Sequence, residues 1–87
     1  MNTENRKRSA VIHVKLKDGV ADPQGLTIKN ALENMGYHGI VNVRSGKTFE
    51  ITFQPDEKTK SEELIDEICR KLLTNPVIEN YKFEIVK

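Results

Sequence analysis

The chain has 87 residues, of which 37% are hydrophobic and 31% charged, and this size and composition indicate one small domain. Fourteen Lys and Arg against 13 Asp and Glu leave a formal net charge of +1, which gives neither nucleic acid nor an anionic membrane an electrostatic reason to bind. One cysteine cannot form an internal disulfide, and no apolar run approaches the ~20 residues of a membrane span, so we expect a cytoplasmic protein.

The first element after a polar start is a strand. Residues 1–9 lack the apolar core of a signal peptide, so we predict a flexible tail over 1–9 and a single domain over 10–87. Apolar and polar side chains alternate over residues 10–17, which is typical of a half-buried strand. Asp18-Gly19 then ends it.

A helix is predicted next. Asp22 can cap its free N–H groups, and Pro23 loses no hydrogen bond at the first helical position. Apolar residues then recur at helical spacing, which predicts a stripe that faces a core: Ile28, Ala31, Leu32 and Met35. Gly36 can end the helix in the left-handed conformation.

Two strands follow and suggest a hairpin. Residues 40–45 and 48–53 both alternate, and Ser45-Gly46-Lys47 between them fits a tight turn.

A second helix and a last strand complete the chain. Thr59-Lys60-Ser61-Glu62 fits a capping box, and an apolar face follows with Leu64, Ile65, Ile68, Leu72 and Leu73. Asn75-Pro76 stops the helix. Residues 81–86 alternate again as a strand.

The predicted element order is β-α-β-β-α-β. This order favours an α+β, ferredoxin-like two-layer sandwich, in which a four-stranded antiparallel sheet carries both helices on one face. The other face would show mostly polar side chains: Val11, His13, Lys15, Glu50, Thr52, Lys82, Glu84 and Val86. That face is either solvated or paired with a second subunit, and the small core favours pairing slightly.

Catalytic and metal-binding patterns are absent from the sequence. It contains no Cys-x-x-Cys and no phosphate-binding glycine loop. His13 and His38 have no evident nucleophile or carboxylate partner, so we expect them at the surface or an interface. Cys69 lies beside the apolar stripe of the second helix and is predicted to be a packing residue. We therefore predict a chain without catalytic residues that works by holding other proteins.

Three segments contain residues that the predicted fold alone does not explain. Gln24-Gly25 places a glycine in the first turn of a helix, where it costs up to about 1 kcal/mol against alanine and suggests a close approach of another backbone or a ligand. Arg44 and Lys47 could bind an anion or a partner carboxylate. Val77-Ile78 follow the helix stop in a linker that could have been polar, so they either fold under the domain or form a contact patch.

Together these segments resemble the PurS family, the small subunits of phosphoribosylformylglycinamidine synthase. The resemblance covers residues 10–86, and four motifs in the right order and spacing support it. They are Gly-Val-x-Asp-Pro-Gln-Gly at 19–25, Ala-Leu-x-x-x-Gly-Tyr at 31–37, Val-Arg-x-Gly-Lys at 43–47, and Leu-x-Asn-Pro-Val-Ile-Glu-x-Tyr at 73–81. The chain departs from the family in its polar tail and in Thr74, where alanine often stands.

The resemblance implies a non-catalytic assembly subunit of an ATP- and glutamine-dependent ligase in de novo purine biosynthesis. A homodimer, or a dimer of dimers, would bridge a PurQ-type glutaminase and a PurL-type synthetase and aid the transfer of ammonia between them. ATP, Mg and glutamine would be used by those partners, and this chain would bind no cofactor. The positions expected at an interface are Asp22, Gln24, Gly25, Arg44, Lys47, Asn75 and Glu79.

Two other functions remain open from the residues alone. An acylphosphatase-like hydrolase shares the strand order but needs an arginine in the loop after the first strand, and residues 18–21 contain none. A small amino-acid-binding regulatory module would show a thermal shift with one amino acid in the absence of any partner protein.

Overall fold

The structure is a computed structural model that describes residues 7–86, so residues 1–6 of the predicted tail and residue 87 lie outside the described part. Three strands alternate with two helical segments. They are β1 (Arg8–Leu16), α1 (Pro23–Asn34), β2 (Gly46–Phe53), α2 (Ser61–Ile68) with a π-helical turn (Cys69–Leu73) directly after it, and β3 (Glu79–Val86). The first strand therefore begins two residues before its predicted start.

The three strands form one antiparallel sheet in the order β2-β1-β3. Alternation turns Ala10, Ile12 and Val14 of the central strand to one face, where they are at most 1% exposed. The register places Ile12 between Phe49 and Phe83 of the outer strands. The alternation predicted for these strands is confirmed.

Helix α2 covers that face of the sheet. Ile65 and Cys69 are completely buried, and they form one cluster with the three inward residues of β1. Burying a side chain such as Ile65 contributes about 1.5–3 kcal/mol through the hydrophobic effect. The prediction that Cys69 is a packing residue is confirmed, and burial raises the pKa of its thiol.

A π-helical turn changes the face that the end of the second helix presents to the core. In a regular α-helix, Leu72 would lie on the same face as Ile65 and Ile68. The extra residue in the turn rotates the chain, so Leu72 is 79% exposed and Leu73 packs against the core instead. The prediction that Leu72 lies on the buried face is therefore wrong.

The predicted capping box at residues 59–62 does not form. The N-cap of α2 is Lys60, and its side chain makes no capping hydrogen bond. Thr59 lies in an isolated bridge that precedes the helix. The Ser61 hydroxyl accepts a hydrogen bond of 3.5 Å from Arg8 Nη1 and so links the helix start to β1.

The predicted fourth strand and its hairpin are also wrong, because residues 40–45 form no strand. The turn predicted around Gly46 is part of β2, where Gly46 pairs with Lys15 and Lys47 with Val14. A Cβ on Gly46 would lie 2.7 Å from the Val14 carbonyl oxygen. The glycine therefore allows a close approach between strands, and the chain passes straight through the position of the expected turn.

Residues 23–45 form a projection that we call the finger. Helix α1 runs outward, Gly36 and Gly39 take positive φ angles of 94° and 93°, and the chain then returns to β2. The Cα radius of gyration is 17.6 Å, against about 12 Å for a compact domain of this length. Gly25 is the buried residue of α1, whereas Met35 of the predicted stripe is 69% exposed. The prediction that this stripe faces the core of its own chain is wrong.

Candidate functional site

The seven predicted site residues lie at the end of the sheet where the finger joins it. They come from the start of α1, from the return segment and the beginning of β2, and from the turn before β3 and the first residue of β3, and are Asp22, Gln24, Gly25, Arg44, Lys47, Asn75 and Glu79. Hydrogen bonds, one ion pair and one shared cleft connect these three segments. Their role at an interface stays a prediction.

Asp22 is the centre of this region. Its Oδ1 accepts hydrogen bonds from Gly25 N at 3.0 Å and Ser45 Oγ at 2.8 Å, and its Oδ2 accepts one from Ser45 N at 2.5 Å. We call Asp22, Gly25 and Ser45 the joint. The Ser45 and Gly25 amides and the Ser45 hydroxyl lower the pKa of Asp22 from 3.8 to about 2. The carboxylate is therefore charged at neutral pH and held by three donors.

Gly25 has a steric role that the sequence suggested. A Cβ at this position would collide with the carbonyl oxygen of Val43 and with the Asp22 carboxylate. The first turn of α1 therefore lies against the backbone of the return segment. The predicted close approach of another backbone is confirmed, and that backbone belongs to the same chain.

Arg44 and Lys47 are already engaged within the chain. Arg44 Nη2 donates to the Lys17 carbonyl oxygen at 3.2 Å, which links the two chain passages at the base of the finger. Lys47 Nζ lies 3.6 Å from Glu79 Oε2 and 5.7 Å from the centre of the Phe49 ring. About half of the Lys47 side chain stays exposed, so it can still reach a carboxylate on a neighbouring surface.

The turn before β3 is held by two side chains. Glu79 Oε1 accepts a hydrogen bond of 2.7 Å from Asn75 N, and Asn75 Oδ1 accepts one of 3.1 Å from Val77 N. Glu79 therefore fixes the turn with one oxygen and pairs with Lys47 through the other. The turn leaves Val77 78% exposed, as a contact patch would require.

Two clefts open beside the joint. One has a volume of about 230 Å³ and is lined by Val14, Leu16, Gln24, Ser45, Gly46, Lys47 and Glu79. The other, of about 350 Å³, lies between the first turns of α1 and residues 42–44. Side chains of a second protein could enter both clefts.

Residues 7–86 contain two histidines and one cysteine. His13 Nδ1 lies 3.2 Å from Thr48 Oγ1 on the open sheet face, His38 is exposed, and Cys69 is buried. No group of three or more His, Cys, Asp or Glu in this part of the chain could hold a metal ion. Of its helices, none is long and apolar enough to cross a membrane.

Sequence reasoning missed a second polar cluster. Tyr81 Oη donates to Asp66 Oδ1 at 2.5 Å, and Arg70 Nε donates to Asp66 Oδ2 at 3.0 Å. These two hydrogen bonds, the one from Tyr81 first, lower the pKa of Asp66. The spacing of four residues between Asp66 and Arg70 could have indicated the pair, whereas the alternation of residues 81–86 predicts only that Tyr81 belongs to a strand.

Ser45 was missed for a different reason. It was interpreted as a turn residue, so its part in binding Asp22 was not expected. No local signal links two residues that are 23 positions apart in the chain.

Comparison with known proteins gives one consistent family. The family model described as PurS: Phosphoribosylformylglycinamidine (FGAM) synthase matches residues 9–87. Subunit PurS of this synthase from Synechocystis sp. is 48% identical over 75 residues, which cover 85% of this chain and 74% of that protein. The Bacillus subtilis subunit PurS is 40% identical over 74 residues, covering 85% and 87%.

Solved structures agree with the sequence comparison. The C2 crystal form of B. subtilis PurS superposes with a TM-score of 0.84 at 38% identity, covering 92% of this chain and 99% of that one. PurLQS from Thermotoga maritima contains a chain with a TM-score of 0.80 at 29% identity, covering 92% and 98%. The α+β fold is therefore shared with these proteins.

Proposed function

This chain belongs to the PurS family of phosphoribosylformylglycinamidine synthase in purine biosynthesis, and from that premise we propose that it is the accessory subunit that assembles the synthase. It brings a PurL-type synthetase and a PurQ-type glutaminase together without catalytic residues of its own. The T. maritima relative occurs in a structure named for all three components, which supports this partnership.

The exposed finger is the observation on which this proposal depends. The apolar stripe of helix α1 is left uncovered by its own chain, with Ile28 at 41% exposure and Met35, directly after the helix, at 69%. Val41 on the return segment is 87% exposed. An apolar helical stripe that stays exposed, here through Ile28 and Met35, marks a protein interaction surface.

A second copy of the chain is the first partner that we propose for the finger. The accessible surface is 6719 Å², against about 5,200 Å² for a compact monomer of this mass. Among residues 7–86, five apolar residues are at most 1% exposed, so the core of this part of the chain is small. A homodimer in which each finger packs against the other chain would bury this excess accessible surface. A dimer of dimers would bury further surface, such as the open face of the sheet.

The cofactors of the reaction belong to the partner subunits in this proposal. ATP, Mg and glutamine would be bound by the synthetase and the glutaminase. Assistance in ammonia transfer stays a prediction.

Reconstitution tests the proposal. Purified PurL-type and PurQ-type subunits are assayed for glutamine-dependent synthesis with and without this chain, and ammonium-dependent synthesis controls for the synthetase itself. We expect glutamine-dependent activity to fall at least tenfold without the chain, while the ammonium-dependent rate stays within twofold. Full glutamine-dependent activity without the chain would overturn the proposal.

A pair of variants tests the finger. Met35→Asp places a charge on the apolar stripe, whereas Asn30→Asp places one on the other side of the same helix. We expect Met35→Asp to weaken self-association and reconstitution at least tenfold and Asn30→Asp to leave both within twofold. Equal effects of the two variants would contradict the role of the stripe.

A further inference from the structure

The joint ties together the two chain passages that connect the finger to the sheet. Asp22 lies at the start of α1, and Ser45 lies at the end of the return segment, directly before β2. Asp22 is 8% exposed, and its carboxylate accepts hydrogen bonds from backbone amides of both passages. Both passages therefore meet at a single buried group.

Few other contacts hold the finger to the domain. In the described residues, no residue of α1 belongs to the core cluster or packs against it, and the buried residue of α1 lies in its first turn. The second link at the base is the exposed hydrogen bond from Arg44 to the Lys17 carbonyl oxygen. The direction of the finger thus depends on the few residues at its base.

A small change at the base moves the apolar stripe far. Helix α1 has 12 residues. Such a helix is about 18 Å long, so a tilt of about 20° at its base displaces its far end by about 6 Å. Met35 lies at this far end, and a shift of that size separates it from any surface shaped to receive it.

We propose that Asp22 is a positioning residue for assembly, because its hydrogen bonds to Gly25 and Ser45 set the direction of the finger. This inference rests on the proposed function, since it concerns the same finger. The three-stranded domain does not depend on the joint, because its core is built from β1, β2, β3 and α2. Loss of the joint therefore releases the finger and leaves the sheet folded.

Three variants remove the hydrogen bonds of the joint to increasing extents. Ser45→Ala removes the hydroxyl donor and keeps the amide donor. Asp22→Asn keeps the shape of the side chain, but its amide group places a donor opposite at least one of the donors that now bind the carboxylate. Asp22→Ala removes every acceptor. Asp18→Asn, at an exposed aspartate four residues earlier, is the matched control.

Two measurements separate orientation from folding. Spin labels at Asn34→Cys on the finger and Glu57→Cys beside the sheet, diluted with unlabelled chain, report the distance distribution between the two parts. Both positions are exposed, and the buried Cys69 stays unlabelled in the native chain. Sedimentation equilibrium and reconstitution with the PurL-type and PurQ-type subunits then report assembly.

We expect a narrow distance distribution in the wild-type chain and in Asp18→Asn. Asp22→Asn should broaden it and raise the dissociation constant of self-association at least tenfold, with Ser45→Ala in between and strand circular dichroism unchanged. Asp22→Asn with wild-type distances and wild-type assembly would overturn the inference, and so would loss of the strand signal in this variant. If the wild-type chain itself fails to assemble, the proposed function fails, and this inference fails with it; normal wild-type assembly with an unaffected Asp22→Asn contradicts only the role of Asp22.

Discussion

Replacing Leu72 and Leu73 one at a time tests the π-helical turn. Leu73 is partly buried against the core cluster, whereas Leu72 is 79% exposed. Truncating a fully buried leucine to alanine lowers the free energy of unfolding by about 3 kcal/mol or more. Truncating a half-buried leucine should therefore lower it by about 1.5 kcal/mol. Truncating an exposed leucine in a helical segment should lower the free energy of unfolding by less than about 0.5 kcal/mol. We therefore expect Leu73→Ala to destabilise the chain by about 1 kcal/mol more than Leu72→Ala.

Urea unfolding followed by far-ultraviolet circular dichroism measures both variants, because the chain has no tryptophan. Every chain is measured at the same concentration and again at a tenfold lower one, so that a change in self-association is recognised by its concentration dependence. A regular α-helix through this segment would reverse the order of the two losses. A larger loss for Leu72→Ala than for Leu73→Ala, independent of concentration, would therefore refute the π-helical turn.

Three further predictions concern titratable groups. The hydrogen bond to Asp66 raises the pKa of Tyr81, so Tyr81→Phe should remove a phenolate transition above pH 10, and Asp66→Asn should shift this transition down in an absorbance titration. The Cys69 thiol is buried and its pKa is raised, so a thiol reagent should modify it in urea at least 100-fold faster than in the native chain; equal rates would contradict its burial. Asp22 has a folded pKa of about 2 against 3.8 unfolded, so its stabilisation is complete above about pH 4 and lost as the pH falls toward 2. The urea midpoint should accordingly fall less over this interval in Asp22→Asn than in the wild-type chain.

The sequence predicted the parts of the fold that depend on neighbours along the chain or on simple alternation. Strand faces, the cap at Asp22 and the glycine at Gly36 all follow from local rules, and each is found in the structure. The close approach at Gly25 could also be predicted, since a glycine in the first turn of a helix is unfavourable unless another group lies close to it. These features are fixed by backbone geometry over a few residues.

Other features depend on contacts that no local pattern contains. The π-helical turn places Leu73 instead of Leu72 against the core cluster that contains Cys69. Gly46 belongs to strand β2 and not to the expected turn, because β1 pairs with the chain at this position and the Val14 carbonyl oxygen lies close to Gly46. In both cases the residue types fit two local structures, and tertiary contacts decide between them.

The remaining differences concentrate in residues 23–45 and have a common cause. The helical stripe through Ile28 and Met35 and the alternation over residues 40–45 indicate faces that should be covered, and the pattern cannot say which chain covers them. In one chain these faces stay exposed, although the cap at Asp22, the helix that follows it and the glycine at Gly36 agree with the sequence. Departures of this kind are expected where a sequence serves function as well as its own fold. Three of the four family motifs lie wholly or partly in this segment, so the exposed finger and the family resemblance support the same function.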